Sequence, residues 1–141
     1  MKLNVKKLSE YGNINAPAKR GDAGYDVFST QHITLFPGEK TLIPLGIAVE
    51  FDEGYMCRVE NKSGIASKTG LLNVNGIIDS SYRGEIKVIV YNLGNQPEEI
   101  KRGQKIAQLV FYKIETPSVN FVDELSDSDR GEGGFGSTGL S

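Results

Sequence analysis

No stretch of this 141-residue chain spaces its apolar residues as an amphipathic helix of ordinary length does; short alternating runs recur instead between glycine- and proline-rich turns. A period of two places side chains on the two faces of a strand. Lys2 to Leu8, Ala23 to Phe28, Ile33 to Phe36, Thr41 to Phe51, Tyr55 to Glu60, Glu85 to Tyr91 and Ile106 to Ile114 have that character. Pro37-Gly38, Glu53-Gly54, Gly94 to Pro97 and Lys101 to Gln104 turn the chain between them. Runs at roughly 8–12-residue spacing predict an all-β sandwich, jelly roll or barrel. Pro44 demotes its run to an edge or a bulge. Ile86, Val88 and Val90 on one face and Ile89 and Tyr91 on the other predict a strand covered on both sides. Tyr11 to Asp22 reads as a surface loop, and Asn61 to Gly70 has room for one short helical turn.

The length suits one domain that buries about two thirds of its unfolded surface. Sixteen basic against eighteen acidic residues leave a net charge of −2, too little to collect nucleic acid or an anionic membrane. Any phosphate is therefore met locally. Cys57 has no partner for an intramolecular disulfide, and the N-terminus does not read as a signal peptide, so a cytoplasmic, reducing setting is expected. No apolar run approaches the roughly 20 residues of a membrane span. His32 is alone, and no His, Cys and carboxylate cluster has metal-ligand spacing.

Two stretches combine chemistry with turn geometry. Asn73 to Glu85 lies between the apolar runs Leu71-Leu72 and Ile86 to Val90, and reads as a hairpin bearing Asp79, Tyr82 and Arg83. Past Pro117 the composition shifts: positions 126–141 hold five glycines and four serines, a flexible tail that cannot fold alone, while Phe121-Val122 is expected to anchor on the body. Within the tail, Arg130 to Gly139 joins a guanidinium, close-set glycines, two hydroxyls and a Phe ring. Such a loop can cradle phosphate and stack on a base, although no Gly-Lys-Ser/Thr makes it a Walker A motif.

Five segments, Ala23 to Asp26, Lys62 to Ala66, Gly76 to Gly84, Arg102 to Gln108 and Arg130 to Gly139, resemble in order and spacing the five motifs of the homotrimeric dUTPases. The resemblance implies a jelly-roll-like β-barrel of short strands over 1–125 and a flexible Gly/Ser-rich arm over 126–141 that closes over the active site. It also implies hydrolysis of dUTP to dUMP and pyrophosphate with Mg²⁺, controlling dUTP and supplying dUMP for thymidylate synthesis, in a homotrimer whose sites are shared between subunits. The related dCTP deaminases and a regulatory nucleotide-binding protein on the same fold are the alternatives.

Carried over residue by residue, the resemblance makes Asp79 the carboxylate that orients and deprotonates the attacking water, and Tyr82 the ring beneath the deoxyribose where a 2′-OH would clash. Asn73 with backbone groups of Gly76 and Ile78 would read the uracil edge. Thymine's methyl would meet the hairpin, and cytosine's amino group would bring a donor where an acceptor is expected. Lys62, Ser63, Gly64, Gln108, Arg130, Phe135, Gly136 and Ser137 would hold the remaining nucleotide, and Asp26 the water shell of Mg²⁺, itself bound mainly by substrate phosphates. The second motif departs from the family: Asn61-Lys62-Ser63 replaces the usual Pro-Arg-Ser, keeping the charge but losing the two-oxygen fork.

Overall fold

A computed structural model describes residues 1–74 and 76–136. Twelve strands and one short helix follow in order: β1 (Asn4–Lys7), β2 (Ile14–Asn15), β3 (Tyr25–Phe28), β4 (Ile33–Leu35), β5 (Lys40–Pro44), β6 (Ile47–Glu50), β7 (Tyr55–Glu60), α1 (Ser63–Lys68), β8 (Leu71–Asn73), β9 (Ile77–Asp79), β10 (Lys87–Asn92), β11 (Glu98–Ile100) and β12 (Lys105–Lys113). They form four sheets, ordered β1-β6, β5-β10-β8, β11-β4 and β2-β3-β12-β7-β9, all paired antiparallel. The all-β class is as the alternation predicts, and the strands make four separate sheets rather than one closed ring of pairing.

The alternation sets the core. Cys57 and Val59 of β7, Val88 and Val90 of β10 and Leu109 of β12 point inward with Ile43, Leu45, Ile47 and Ile100. Tyr25 and Phe51 close one end, each edge-on to Phe111. Burial raises the Cys57 thiol to about 12, so it stays protonated and unreactive at neutral pH. Pro44 ends β5, an edge strand, where its missing N–H removes no ladder bond.

The five-stranded sheet turns on one irregularity. Lys105 pairs with Phe28 but Ala107 pairs with Val27, so β12 holds one extra residue at Ile106. That β-bulge explains why the consecutive Ile106 and Ala107 are both buried, and it moves everything after them by one place. Gln108 consequently stands opposite Asp26 on one side and Glu60 on the other.

Three expectations change. The Tyr11 to Asp22 loop contains β2, a two-residue strand held by Val27 and Asp26. The second face of β10 is open within one chain: Ile89 and its neighbour Leu42 are both exposed. Phe121, expected on the body, is 95% exposed, and Val119 and Leu125 stand out beside it. Val122 is 55% exposed, so among the described residues this segment has little cover.

One buried polar side chain carries a large share of the loop order. Asn92, fully buried, donates from Nδ2 to the carbonyls of Leu35 (2.9 Å) and Gln96 (2.8 Å) and accepts the Gly94 N–H at Oδ1 (3.0 Å). Asn92→Ala should destabilise by about 2–4 kcal/mol, because it strands the buried Leu35 carbonyl and the part-buried Gln96 carbonyl and leaves a void. Urea unfolding measures the loss.

Candidate active site

Register places most of the chemistry on one face. Along β7, Tyr55, Cys57 and Val59 face the core while Met56, Arg58 and Glu60 face outward. Residues directly opposite in an antiparallel pair share a face, so Asp79 (opposite Met56), Gln108 (opposite Glu60) and Asp26 (opposite Gln108) all lie on the outer side.

At one corner, Asp26 is the centre of a small charged cleft lined also by Ala18, Asp22, Ala23, Gly24 and Gln108. Lys62 Nζ reaches Asp26 Oδ1 at 2.5 Å and Lys105 Nζ reaches Oδ2 at 3.4 Å. Burial pushes the Asp26 carboxyl up, but hydrogen bonding and charge from Lys62, seconded by Lys105, outweigh it and hold the group below the ordinary carboxylate value. Lys62 thus engages a single oxygen, as expected of lysine in place of a forked guanidinium. It is also the N-terminal flank of α1, whose first turn leaves the N–H groups of the exposed Ser63 and Gly64 without intrahelical acceptors. Gln108 donates to the Asn61 carbonyl (2.9 Å) and lies over Gly24, where a Cβ would come 1.8 Å from its Oε1. Only glycine leaves that space.

Asn61 in turn ties this corner to β8. Its side chain accepts the Asn73 N–H (2.7 Å) and donates to the Asn73 carbonyl (3.2 Å). Asn73 itself is buried and borders a second depression with Arg58, Val59, Glu60 and Val74.

The opposite corner is the hairpin. Asp79 is exposed at the end of β9, and a turn closed by Tyr82 N–H to Asp79 carbonyl (3.1 Å) carries the chain to a half-exposed Tyr82. Gly76, Ile78, Tyr82, Ile86 and Ile89 line a largely apolar depression. Gly76 is exposed, with nothing within 4 Å of where a Cβ would sit.

The two corners are well apart. From Asp79 to Asp26 the path crosses three inter-strand steps and four residues of β7, which at ordinary spacings is roughly 20 Å. The third group is on the arm: Arg130, Phe135 and Gly136 are exposed, and among the described residues Arg130 Nε donates to the Gly133 carbonyl. Phe135 sits at φ +51°, rare for a bulky residue, and its ring is fully in solvent. Ser137 lies outside the described residues. His32 is not isolated, since Nε2 is 3.1 Å from Glu99. Lys105, Asn61 and Gly24 were missed as site-shaping residues, although all three lie in or beside the quoted motifs.

The dUTPase family model matches residues 10–139. The chain belongs to the dUTPase family. It is 45% identical over 141 residues to the deoxyuridine 5'-triphosphate nucleotidohydrolase of Nautilia profundicola, covering 99% of each chain. It is 44% identical to that of Clostridium novyi, over 99% of this chain and 100% of the other. Among solved structures, the Staphylococcus bacteriophage 80alpha dUTPase with dUPNHPP superposes with a TM-score of 0.93 at 34% identity, covering 98% of both chains. A mutant dUTPase from phage phi11 of S. aureus, solved to show coordination of a structural Mg(II) ion, gives 0.85 at 30% identity over 90% of this chain and 100% of that one.

The Asp26 pair gives a pH prediction. Because the folded carboxyl titrates below its unfolded value of 3.8, its contribution to stability is present above that value and is lost as pH falls through the lower folded one. Lys62→Met removes the largest lowering influence, so carboxyl NMR should find Asp26 titrating higher, and acid unfolding should begin at higher pH.

Proposed function

We propose that this chain hydrolyses dUTP to dUMP and pyrophosphate, limiting dUTP and supplying dUMP. What carries the reading is that the five family segments supply residues of the hairpin depression, of the charged cleft at Asp26 and of an exposed C-terminal arm, with groups suited to a base, a sugar and a triphosphate. Relatives named as nucleotidohydrolases, rather than deaminases, favour it over the cytosine-directed alternative.

Base and sugar enter the hairpin depression. Backbone groups of Gly76 and Ile78, with Asn73, face the uracil edge, and the Tyr82 ring lies under the deoxyribose and leaves no room for a 2′-OH. A site built to hydrogen-bond one edge rejects a mismatched edge more strongly than apolar fit would. Asp79 takes a proton from water as the bond between the α and β phosphates breaks. Its exposed carboxylate is the right type of group for that work, since phosphoryl cleavage demands positioning and charge neutralisation more than covalent help. Lys62, Ser63, Gly64 and Gln108 hold the phosphates. Arg130, Phe135, Gly136 and Ser137 close over them from the 126–141 arm.

Mg²⁺ is the cofactor of the reading. Among the described residues no group of three or more His, Cys, Asp or Glu side chains is placed to cage a metal. Asp26, in a cleft that also holds Asp22 and Lys62, fits an ion that keeps its waters and takes most ligands from phosphate. Bound there, the ion would neutralise charge on the triphosphate. This chain's part is to hold the ion's water shell at Asp26 and to bring the Lys62 ammonium to the same phosphates.

One chain does not complete the site. The roughly 20 Å of sheet between Asp79 and Asp26 favours a site in which the hairpin and the phosphate cleft come from different chains. The exposed Leu42 and Ile89 beside the hairpin, and the exposed Val119, Phe121, Leu125 and Phe135, all favour a homotrimer in which neighbours share each site. No helix among the described residues is long and apolar enough to cross a membrane, and one buried unpaired Cys57 suits a reducing cytoplasm.

A coupled pyrophosphatase assay on dUTP, dCTP, dTTP and UTP tests the reading. Turnover of dUTP alone is expected, with kcat lowered at least about a thousandfold in Asp79→Asn and by more than about tenfold when residues 130–141 are deleted. Full activity in Asp79→Asn, or equal turnover of UTP, would refute the assignments.

A further inference from the structure

The turn between Asp79 and Tyr82 is fastened to the body by side chains that no part of the mechanism uses. Arg83 is central. Its Nη1 donates to the Ser80 carbonyl (2.6 Å) and, more weakly, to that of Tyr82 (3.4 Å), while Nη2 lies 3.4 Å from Glu50 Oε1 at the end of β6. The other Glu50 oxygen accepts from Asn4 Nδ2 (3.0 Å), directly opposite on β1. A chain of contacts therefore runs from the N-terminal strand through Glu50 and Arg83 to the backbone of the turn.

The exit of the hairpin is fastened separately. Glu85 Oε2 accepts the Gly46 N–H (3.0 Å), Leu45 N–H donates to the Ile86 carbonyl and Ile86 N–H to that of Ile47, each at 3.0 Å. These anchors sit at the two ends of β6, about 13 Å apart, so one strand fixes both the turn and the exit. Tyr82 lies between them. Its hydroxyl donates to the Glu85 carbonyl (2.9 Å), and its ring covers Gly84 so closely that a Cβ there would come 2.4 Å from the hydroxyl oxygen.

We propose that Arg83, braced by Glu50 and Asn4, is a positioning residue that sets the Tyr82 ring and the Asp79 carboxylate against each other, and thereby sets discrimination between deoxyribose and ribose nucleotides. This rests on the sugar-contact role given to Tyr82 above. The guanidinium suits the task because its fork bonds a carbonyl and a carboxylate at once, which an ammonium cannot do in the same geometry. Both partners of the Arg83–Glu50 pair are about half exposed, so the pair adds little to global stability. Its effect belongs in selectivity.

The test compares wild type, Glu50→Gln, Arg83→Met and Arg83→Lys by kcat and KM on dUTP and UTP, by affinity for non-hydrolysable analogues of both nucleotides, and by thermal melting. Glu50→Gln should melt within a few degrees of wild type yet lower the dUTP/UTP ratio of kcat/KM, and of analogue affinity, at least threefold. Arg83→Met should lower it about tenfold, and Arg83→Lys should recover part of the loss. In the double variant Glu50→Gln/Arg83→Met the effects should be less than multiplicative, as for groups on one path. An unchanged ratio in Glu50→Gln and Arg83→Lys, with dUTP selectivity intact in wild type, would overturn the brace alone; a wild type that binds UTP and dUTP analogues equally would overturn it together with the role of Tyr82.

Discussion

The outer face of the five-stranded sheet depends on the bulge in β12. Without the extra residue at Ile106, Ala107 rather than Gln108 would oppose Asp26, and β3 would slip by one place relative to β7. The bulge lets two buried residues follow one another and still returns Gln108 to the solvent side between Asp26 and Glu60. Packing and chemistry are thus settled by the same irregularity. The Gly24 backbone, over which Gln108 lies, and the Asn61 link to β8 then hold that corner in shape.

The same sheet separates what the reaction must bring together. β9 carries Asp79 at one corner and β3 carries Asp26 at the other, and antiparallel pairing allows no shorter path between them. Bending the sheet to close roughly 20 Å would break the ladders that define it. On the proposed reading, association of identical chains avoids the conflict, because one chain's hairpin would face another chain's lysine-lined cleft while both sheets keep their pairing. The exposed apolar residues along β10 and the 119–125 segment would then be contact surface rather than solvent-facing liabilities.

Much of the fold was legible because burial on one face leaves a period-two trace: β7, β10 and β12 fall where the alternation puts them, and α1 occupies the one place with room for a helical turn. What escaped has physical causes. β2 and β11 are too short to show a period and exist through their partners, Val27 and Asp26 for β2 and Ile33, Thr34 and Leu35 for β11. The bulge is a relation between two strands, invisible in either alone. Ile89 and Phe121 carry the pattern of covered residues, yet Ile89 is partly and Phe121 almost wholly exposed. At the site, Asp26, Lys62 and Gln108 were legible as members of ordered motifs, and their convergence on one cleft follows from register. Lys105 was not singled out, because its tie to Asp26 depends on the bulge beside it; Arg83 was legible only as a charge on the hairpin, because its partner Glu50 meets it only after the chain has turned back.

Mixing two inactive chains tests most directly whether each site is built by more than one chain. Asp79→Asn disables the hairpin corner and Gln108→Ala the cleft corner, each alone expected to leave little dUTP hydrolysis. Unfolded together and refolded as mixed oligomers, they should regain a sizeable fraction of wild-type activity, since some sites then combine an intact hairpin from one chain with an intact cleft from another. Mixed oligomers that form, as shown by native mass spectrometry, yet stay as inactive as either parent would contradict the shared site.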